Sequence, residues 1–315
     1  MKRIILLIVM VFMIGGCYDY QELNDMSIGS SLFVDYSNNQ YKITLEVVRY
    51  EEDKEIEKKM LTGSGTNVQE AIQDIEDQSS KKIFLEHLEL LGISENLAKM
   101  GIRPLIDFII RDVHINNNFP IMIYKDMESV LEIETSDSYG SYYNGLLRNI
   151  YHNDDFYMID MLEKSFIEEK FISLPYYEMD KIVYFHNDQL GMIVNNKIYQ
   201  LLMISNSNCI FEKDNNVIEV YKNNTKYEVN KDKIILYLDL SGKVLEKDED
   251  ISITNLNHLF QNIIFQDIKD YLDKLNNYDI LNLQELYYKN YRVKKEVPYD
   301  ISIRFQINHE GAFYD

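Results

Sequence analysis

The feature that most constrains the fold of this chain is a short apolar run that ends just before a cysteine. The basic pair Lys2-Arg3 precedes the run Ile4–Ile14, and the pair Gly15-Gly16 leads directly to Cys17. The run is about eleven residues long, whereas a bilayer span needs ~20, so we expect a cleaved signal peptide and regard a transmembrane helix as the weaker interpretation. Small residues followed by cysteine are typical of a bacterial lipoprotein signal, in which the thiol receives a diacylglyceryl group. Residues 1–16 are therefore predicted to be a lipoprotein signal peptide, with an ordinary signal and a chance cysteine as the alternative.

Lipidation at Cys17 restricts how the remaining chain can be stabilised. Residues 17–26 are mostly polar and are predicted to be a lipidated tether. Cys209 is the only other cysteine, so acylation of Cys17 would exclude an intramolecular disulfide. Hydrophobic residues make up 46% of the chain, which is enough for packed cores in two domains of ordinary size. The stability of this protein is expected to come from packing.

The charge of the chain excludes one class of partner. The net charge is −20, and cleavage of a signal that carries Lys2 and Arg3 but no acid would lower it to −22. We therefore expect no nucleic-acid binding, because no basic stripe is present to neutralise phosphates. An acidic body would also be repelled by anionic lipid. Two acyl chains on one cysteine can hold it at a membrane, since each buried CH₂ contributes about 0.8 kcal/mol.

The first half of the chain alternates between strand and helix patterns. Residues 27–36 and 41–50 predict two strands joined by a polar hairpin turn, and residues 51–59 predict a charged loop or strand extension. Gly63-Ser64-Gly65 predicts a turn before a helix whose capping box would pair Thr66 with Gln69. Further patterns predict strands at 81–93 and 119–124 and helices at 94–100, 102–111, 139–151 and 156–170.

The second half begins with a change of pattern near Pro175. Short strand patterns recur at 181–194, 217–221, 226–229 and 234–240. A long amphipathic helix is predicted over 255–275, a second helix over 281–291, and an alternating strand over 299–307. Strands followed by segregated helices predict an α+β fold with several domains, mixed or antiparallel sheets and packed helices. We place an N-terminal α+β domain at 27–175 and a C-terminal α+β domain at 176–315.

Catalytic, cofactor and metal motifs are not readable in this sequence. The six histidines stand outside any metal-binding frame, and His87 is predicted to lie in a strand with a surface role. The segment 63–66 lacks the lysine of a phosphate-binding loop, and the acidic run 246–250 does not match a calcium loop. We therefore expect no catalytic residues, no cofactor, no metal site and no enzymatic activity. Cys17 is the single predicted site residue.

Several segments resemble the Ger(x)C family, the lipoprotein C subunits of spore germinant receptors. The resemblance is carried by Cys17-Tyr18-Asp19, Glu22-Leu23-Asn24, Val34-Asp35, the segment 80–89 with His87, the segment 93–98, and the segment 101–112 with its Arg111-Asp112 pair. Tyr18 stands where the family commonly has tryptophan, and the glycine-rich stretch that the family has after Asp279 is replaced by residues 281–283. The likeness covers nearly all of the mature chain and is diffuse over 113–250.

The resemblance implies a non-enzymatic subunit of several α+β domains on the outer face of the spore inner membrane. It would be anchored through a diacylglyceryl group on Cys17. Its partners would be a multi-spanning A subunit and a transporter-like B subunit, which respond together to nutrient germinants. A solute-binding lipoprotein of a transporter is the alternative, although the regular βα alternation of such two-lobed proteins is missing.

Overall fold

The fold is mixed α+β and contains three sheets within the residues that the structure describes. The computed structural model describes residues 26–49, 57–112, 114–151, 156–158, 172–204, 208–275 and 278–309. The strands are β1 (Met26–Ser37), β2 (Gln40–Arg49), β3 (Glu57–Gly65), β4 (Lys82–Phe84), β5 (Leu90–Ser94), β6 (Ile121–Tyr124), β7 (Ser173–Pro175), β8 (Lys181–His186), β9 (Gln189–Asn195), β10 (Asn208–Lys213), β11 (Asn216–Val229), β12 (Ile234–Glu246) and β13 (Tyr299–His309). The helices are α1 (Val68–Gln78), α2 (Glu95–Met100), α3 (Arg103–Arg111), α4 (Met127–Leu131), α5 (Tyr139–Tyr151), α6 (Asn196–Met203), α7 (Ile253–Lys274) and α8 (Leu283–Tyr291).

The first sheet combines a hairpin meander with parallel strands. Its order is β3-β2-β1-β5-β6, with β4 pairing beside the start of β1. The β1, β2 and β3 pairs are antiparallel, whereas β1, β5 and β6 run parallel. Asn38 and Asn39 link β1 to β2 with φ of 53° and 61°, which is the left-handed backbone of a type I′ hairpin turn. The predicted hairpin is confirmed.

Helices bury both faces of this sheet. Leu32 and Val34 of β1 belong to the apolar cluster that contains the buried faces of α1 and α3. Phe33, between them, belongs to the cluster that contains Tyr143 and Leu147 of α5. Side chains of successive strand residues point to opposite faces, so β1 contributes to two cores. Burial of each such side chain stabilises the fold by about 1.5–3 kcal/mol.

The two remaining sheets lie in the second half of the chain. The sheet β7-β8-β9 is antiparallel, and the other sheet has the order β10-β11-β12-β13. β13 runs parallel to β12 after the crossover through α7 and α8. Helix α7 buries Leu256, Phe260, Ile264 and Ile268, which recur every four residues on the face that joins the sheet's core. The predicted long C-terminal helix is confirmed.

The predicted turn at Gly63-Ser64-Gly65 is wrong, because these residues end strand β3. The glycines are there because α1 packs directly on the strand. A Cβ on Gly63 would lie 2.3 Å from the Ala71 carbonyl oxygen, and one on Gly65 would lie 2.5 Å from the Ala71 nitrogen. Real side chains cannot come this close, so close approach explains the glycines. The predicted turn would have explained the glycines by an unusual backbone conformation instead.

The predicted capping box of Thr66 and Gln69 is also wrong, because α1 begins one residue later. Asn67 is the N-cap, and its side-chain oxygen accepts a hydrogen bond from the Glu70 nitrogen at 3.0 Å. The Glu70 carboxylate in turn accepts hydrogen bonds from the Thr66 nitrogen at 2.9 Å and the Thr66 hydroxyl at 2.6 Å. Asparagine is preferred over threonine at the N-cap position, so N-cap preference favours the start that the structure shows.

Other differences concern short elements. The single strand predicted over 81–93 is two strands, β4 and β5, separated by a turn that contains His87. Helices α4 and α6 and strand β10 were not predicted. Most of the predicted helix 156–170 lies outside the described residues.

The domain boundary near 175 stays a prediction. One apolar cluster contains Phe33 and Tyr143 from one side of that boundary and Tyr184, Leu236 and Phe260 from the other. Packing is therefore continuous across the predicted boundary.

Candidate functional site

The carboxyl ends of β1 and β5 form the first candidate site. From β1 the chain adds strands on one side of the sheet, and from β5 it continues on the other side, so the order reverses between these two parallel neighbours. Ligands of open sheets commonly bind outside such a reversal, at the carboxyl ends of the strands. Asp35 of β1 and Ser94 of β5 meet there, and the Ser94 hydroxyl donates to the Asp35 carboxylate at 2.5 Å.

Helix α2 places further polar groups at this edge. Ser94 is its N-cap and accepts a hydrogen bond from the Leu97 nitrogen at 3.1 Å. The Asn96 side chain donates to the Asp35 carboxylate at 3.4 Å. Ser94 therefore serves both the helix start and the strand edge. The edge is polar because a buried strand ends in a capping residue.

Glu95 connects this edge to the second half of the chain. Its carboxylate accepts hydrogen bonds from the Tyr176 hydroxyl and from the Lys99 ammonium, both at 2.6 Å. Burial raises the pKa of Glu95, but the hydrogen bonds from Lys99 and Tyr176 outweigh burial and hold the pKa below its ordinary value. Burial and the neighbouring Glu95 both raise the pKa of Tyr176 far above its ordinary value. This arrangement keeps a charged carboxylate beside a neutral phenol.

A cavity of about 490 Å³ opens beside these groups. Its lining includes Glu95, Lys125, Tyr176, Glu178 and Lys181. Lys181 contacts the Glu178 carboxylate, and its ammonium lies 5.5 Å from the centre of the Tyr176 ring. Charges of both signs thus lie close together at one mouth. Such a mouth can bind polar groups of a ligand or of another protein.

A second polar cluster fastens helix α5 to the sheet. The Glu46 side chain is fully buried and accepts hydrogen bonds from the Ser31 hydroxyl at 2.7 Å and from the nitrogens of Tyr139 and Gly140 at 2.9 and 3.2 Å. A carboxylate at the first turn of a helix is stabilised by the helix dipole. A Cβ on Gly140 would lie 2.5 Å from the Ser30 hydroxyl oxygen, so the contact also requires glycine.

Glu89 binds the same helix from the neighbouring strand region. The hydroxyls of Ser30, Ser138 and Ser141 lie 2.9, 3.1 and 3.0 Å from its carboxylate. The Asn144 side chain donates to the Glu89 carbonyl at 3.1 Å. Glu46 and the partly buried Glu89 therefore have a structural role, which is to hold the start of α5 against β1 and β2.

The predicted site residue, Cys17, lies outside the described residues together with the predicted signal peptide 1–16. His87 lies in an exposed turn. No group of three or more His, Cys, Asp or Glu side chains within the described ranges is arranged to hold a metal ion. None of the helices in the described part of the chain is both long and apolar enough to cross a bilayer.

Two of the segments that resemble the Ger(x)C family come together at the first candidate site. Asp35 ends one of them, and Ser94, Glu95 and Asn96 belong to another. The sequence pattern of the spore germination protein N-terminal domain matches residues 19–176, half of the 315-residue chain. The chain belongs to the Ger(x)C spore germination protein family.

A solved structure has a similar fold. The crystal structure of the GerBC protein aligns with a TM-score of 0.51 and 15% sequence identity, over 92% of this chain and 99% of that one. At this identity the likeness concerns the fold, and it confirms the predicted multi-domain α+β class. No curated protein matches the chain.

Sequence reasoning missed the meeting of Asp35 with Ser94. The available signal was the position of Ser94, a helix-capping serine directly after the apolar strand residues Leu90 to Ile93. A capping residue at the end of a buried strand marks the sheet edge where the strand ends. The sequence does not state which other strand end lies beside it.

Proposed function

We propose that this chain is the lipoprotein C subunit of a spore germinant receptor and is needed for germination in response to nutrients. Its attachment point would be a diacylglyceryl group on Cys17, and it would lie on the outer face of the spore inner membrane. The family match that begins at residue 19, two residues after the predicted cleavage site, carries this proposal. Residues 17–26 would then be a tether between the lipid and the first strand.

The charge of the body supports attachment through lipid. A mature chain of net charge −22 is repelled by anionic headgroups, so protein–membrane adsorption contributes little. Two acyl chains, each contributing about 0.8 kcal/mol per buried CH₂, give stable anchoring without any other contact.

The subunit would act through protein contacts with the A and B subunits, without catalysis. The carboxylates at the strand edge support this interpretation, because they are engaged by groups of the same chain. Asp35 accepts a hydrogen bond from the Ser94 hydroxyl, and Glu95 accepts hydrogen bonds from Tyr176 and Lys99. Such a surface is suited to specific polar contacts with another protein. Contacts of this kind determine which partner binds more than they determine how tightly it binds.

Replacement of Cys17 with alanine tests the proposal. Spores that carry Cys17→Ala should lose most of the nutrient response and should germinate normally with a trigger that bypasses the receptors. The matched control is Cys209→Ala, which removes the other cysteine and leaves the anchor intact. An unchanged nutrient response, with the Cys17→Ala protein abundant and still bound to the membrane, would refute the proposal.

The solute-binding alternative is kept because of the cavity beside Tyr176. Its volume of about 490 Å³ lies within the range of small-molecule sites. Calorimetry of the full chain with amino acids and sugars separates the two functions. Tight binding of one such solute, with Tyr176→Ala abolishing it, would favour the alternative.

A further inference from the structure

Strand β13 presents an open edge in the C-terminal sheet. It pairs with β12 on one side, and within the described ranges no strand pairs with its other side. The strand is 11 residues long and contains neither proline nor lysine. Proteins usually shorten, bend or charge such edges, because unpaired backbone groups are a template for another strand. Asp300 and Arg304 are the charged residues of this strand, and an edge of this length without proline still offers backbone groups to another strand.

Asn257 of α7 shows which backbone groups face outward. Its side-chain amide donates to the Phe305 carbonyl at 3.2 Å and accepts from the Ile307 nitrogen at 2.9 Å. On the inner side, the Pro298 carbonyl accepts from the Ile234 nitrogen of β12. Residues alternate between the two sides of a strand. Ile301 and Ile303 therefore point their N–H and C=O groups outward, like Phe305.

Asn257 closes only one end of this edge. Its amide occupies the groups of Phe305 and Ile307 as a neighbouring strand would. No hydrogen-bond partner lies within the described part of the chain for the outward backbone groups of Ile301 and Ile303. The open stretch therefore runs over Ile301 and Ile303.

A groove of about 800 Å³ runs beside the open stretch. One wall is residues 296–301, which lead into β13 and form its start, and another is helix α7. Phe265, Lys269 and Asp273 line the helix wall at four-residue spacing, which continues the row that starts at Asn257. Phe265 is 37% exposed, which is high for a phenylalanine beside a core. The groove thus combines an apolar wall with free backbone groups.

The charges of the groove are mostly negative. Its lining contains the carboxylates of Asp273, Asp279, Glu296 and Asp300 and the ammonium of Lys269. Asp279 accepts hydrogen bonds from the backbone nitrogens of Leu283 and Gln284 at the start of α8. Asp300 forms an ion pair with Lys233. The Asp273 carboxylate already accepts a hydrogen bond from the Tyr299 hydroxyl. Its remaining acceptor positions, like those of Glu296, can take a partner's cations. An acidic groove is complementary to a basic segment.

We propose that an extended segment of a partner protein, with alternating apolar and basic residues, binds in this groove as a strand added to β13. Its backbone pairs with Ile301 and Ile303, its apolar side chains contact Phe265, and its basic side chains approach Asp273 and Glu296. This mode takes affinity from main-chain hydrogen bonds and specificity from alternate side chains. The inference rests on the proposed function only in taking another protein as the partner.

The test uses synthetic peptides and the full chain in detergent micelles. The probe is an eight-residue peptide that alternates valine with lysine, and a derivative carries N-methyl groups on every amide. A peptide bound parallel to β13 presents one alternate set of amides and a peptide bound antiparallel presents the other, so full N-methylation blocks pairing in both directions and should abolish binding. The unmodified peptide should bind with a Kd on the order of 10 μM and should weaken as salt rises.

Hydrogen exchange locates the bound peptide on the strand. The amides of Ile301 and Ile303 should exchange more slowly when peptide is present. Those of Ser302 and Arg304 face β12 and should change little. Equal binding of the unmodified and the N-methylated peptide, or unchanged exchange at Ile301 and Ile303, would overturn the proposal.

Matched charge variants complete the test. Asp273→Asn combined with Glu296→Gln should weaken binding about tenfold. Asp214→Asn, in the β10–β11 turn, removes a charge elsewhere and should leave it unchanged. No binding up to about 1 mM, or a dimer that protects the same amides without peptide, would refute a partner segment in favour of an empty edge or a second copy. These readouts are independent of germination, so either proposal can fail alone.

Discussion

Substitution of Gly63 by alanine tests whether α1 packs directly on β3. The new Cβ would lie 2.3 Å from the Ala71 carbonyl oxygen and 2.7 Å from a side-chain carbon of Ile75. The nearest atom is backbone, so α1 must move as a whole. Overpacking of this kind costs about 1–3 kcal/mol, and the reduced freedom of the unfolded chain offsets about 0.5–1 kcal/mol of that cost. A backbone contact of 2.3 Å puts the cost near the upper end of that range, so we expect a net loss of about 2 kcal/mol.

Gly145 provides the matched control for this substitution. It lies in the middle of α5, and a Cβ there would meet nothing within 4 Å. Alanine exceeds glycine by about 1 kcal/mol in a helix interior, so Gly145→Ala should stabilise the protein. The same chemical change is thus expected to have opposite signs at two positions.

Thermal unfolding of the full chain measures both effects. With a Tm change of about 2 °C per kcal/mol for a chain of this size, Gly63→Ala should lower Tm by about 4 °C and Gly145→Ala should raise it by about 2 °C. Adding Ile75→Val to Gly63→Ala should restore little, because the closest contact is the Ala71 carbonyl. A Gly63→Ala protein as stable as the wild type would refute the close packing of α1 on β3.

Three further predictions address the strand edge, the anchor and the core. The lowered pKa of Glu95 stabilises the folded state above the ordinary value of 4.5, so the Tm deficit of Glu95→Gln should be full at neutral pH and vanish as pH falls through the folded pKa. Tyr176→Phe should show part of that deficit, and a deficit that persists in acid would contradict this reasoning. In protein extracted from spores, a thiol reagent should label one cysteine per chain in denaturant, because Cys17 is acylated. It should label none in the native protein, because Cys209 is 3% exposed. Two labelled thiols per chain would exclude acylation. Phe260→Ala should cost about 3–5 kcal/mol in urea unfolding, since the ring is fully buried, and a loss below 1 kcal/mol would contradict the packing of α7 on the sheet.

Local patterns were sufficient where the elements depend on neighbours along the chain. The hairpin around Asn38-Asn39 and the helix α7 were predicted within a few residues, because turn preference and apolar periodicity specify them. The α+β class followed from the order of such elements. The helices α2 and α3 were predicted from Gly101, which ends α2, and from Pro104 in the first turn of α3.

Tertiary packing explains the elements that the sequence did not predict. Gly63 and Gly65 lie in strand β3, where α1 packs directly on them, and nothing in the sequence of the strand itself predicts that contact. The Asp35–Ser94 contact joins residues 59 positions apart in the sequence. Their meeting depends on β5 pairing with β1, a choice that both strands' apolar sequences leave open.

Strand β13 shows where sequence reasoning ends. Alternation of Ile301, Ile303 and Phe305 with polar residues predicted which face of the strand is buried, and the structure confirms that face. The same alternation also fixes the direction of every backbone N–H and C=O group, but only relative to the others. Which set is free depends on the side from which β12 approaches, and this is decided by the crossover through α7. Asn257, placed by that crossover beside Phe305, therefore makes the open edge recognisable.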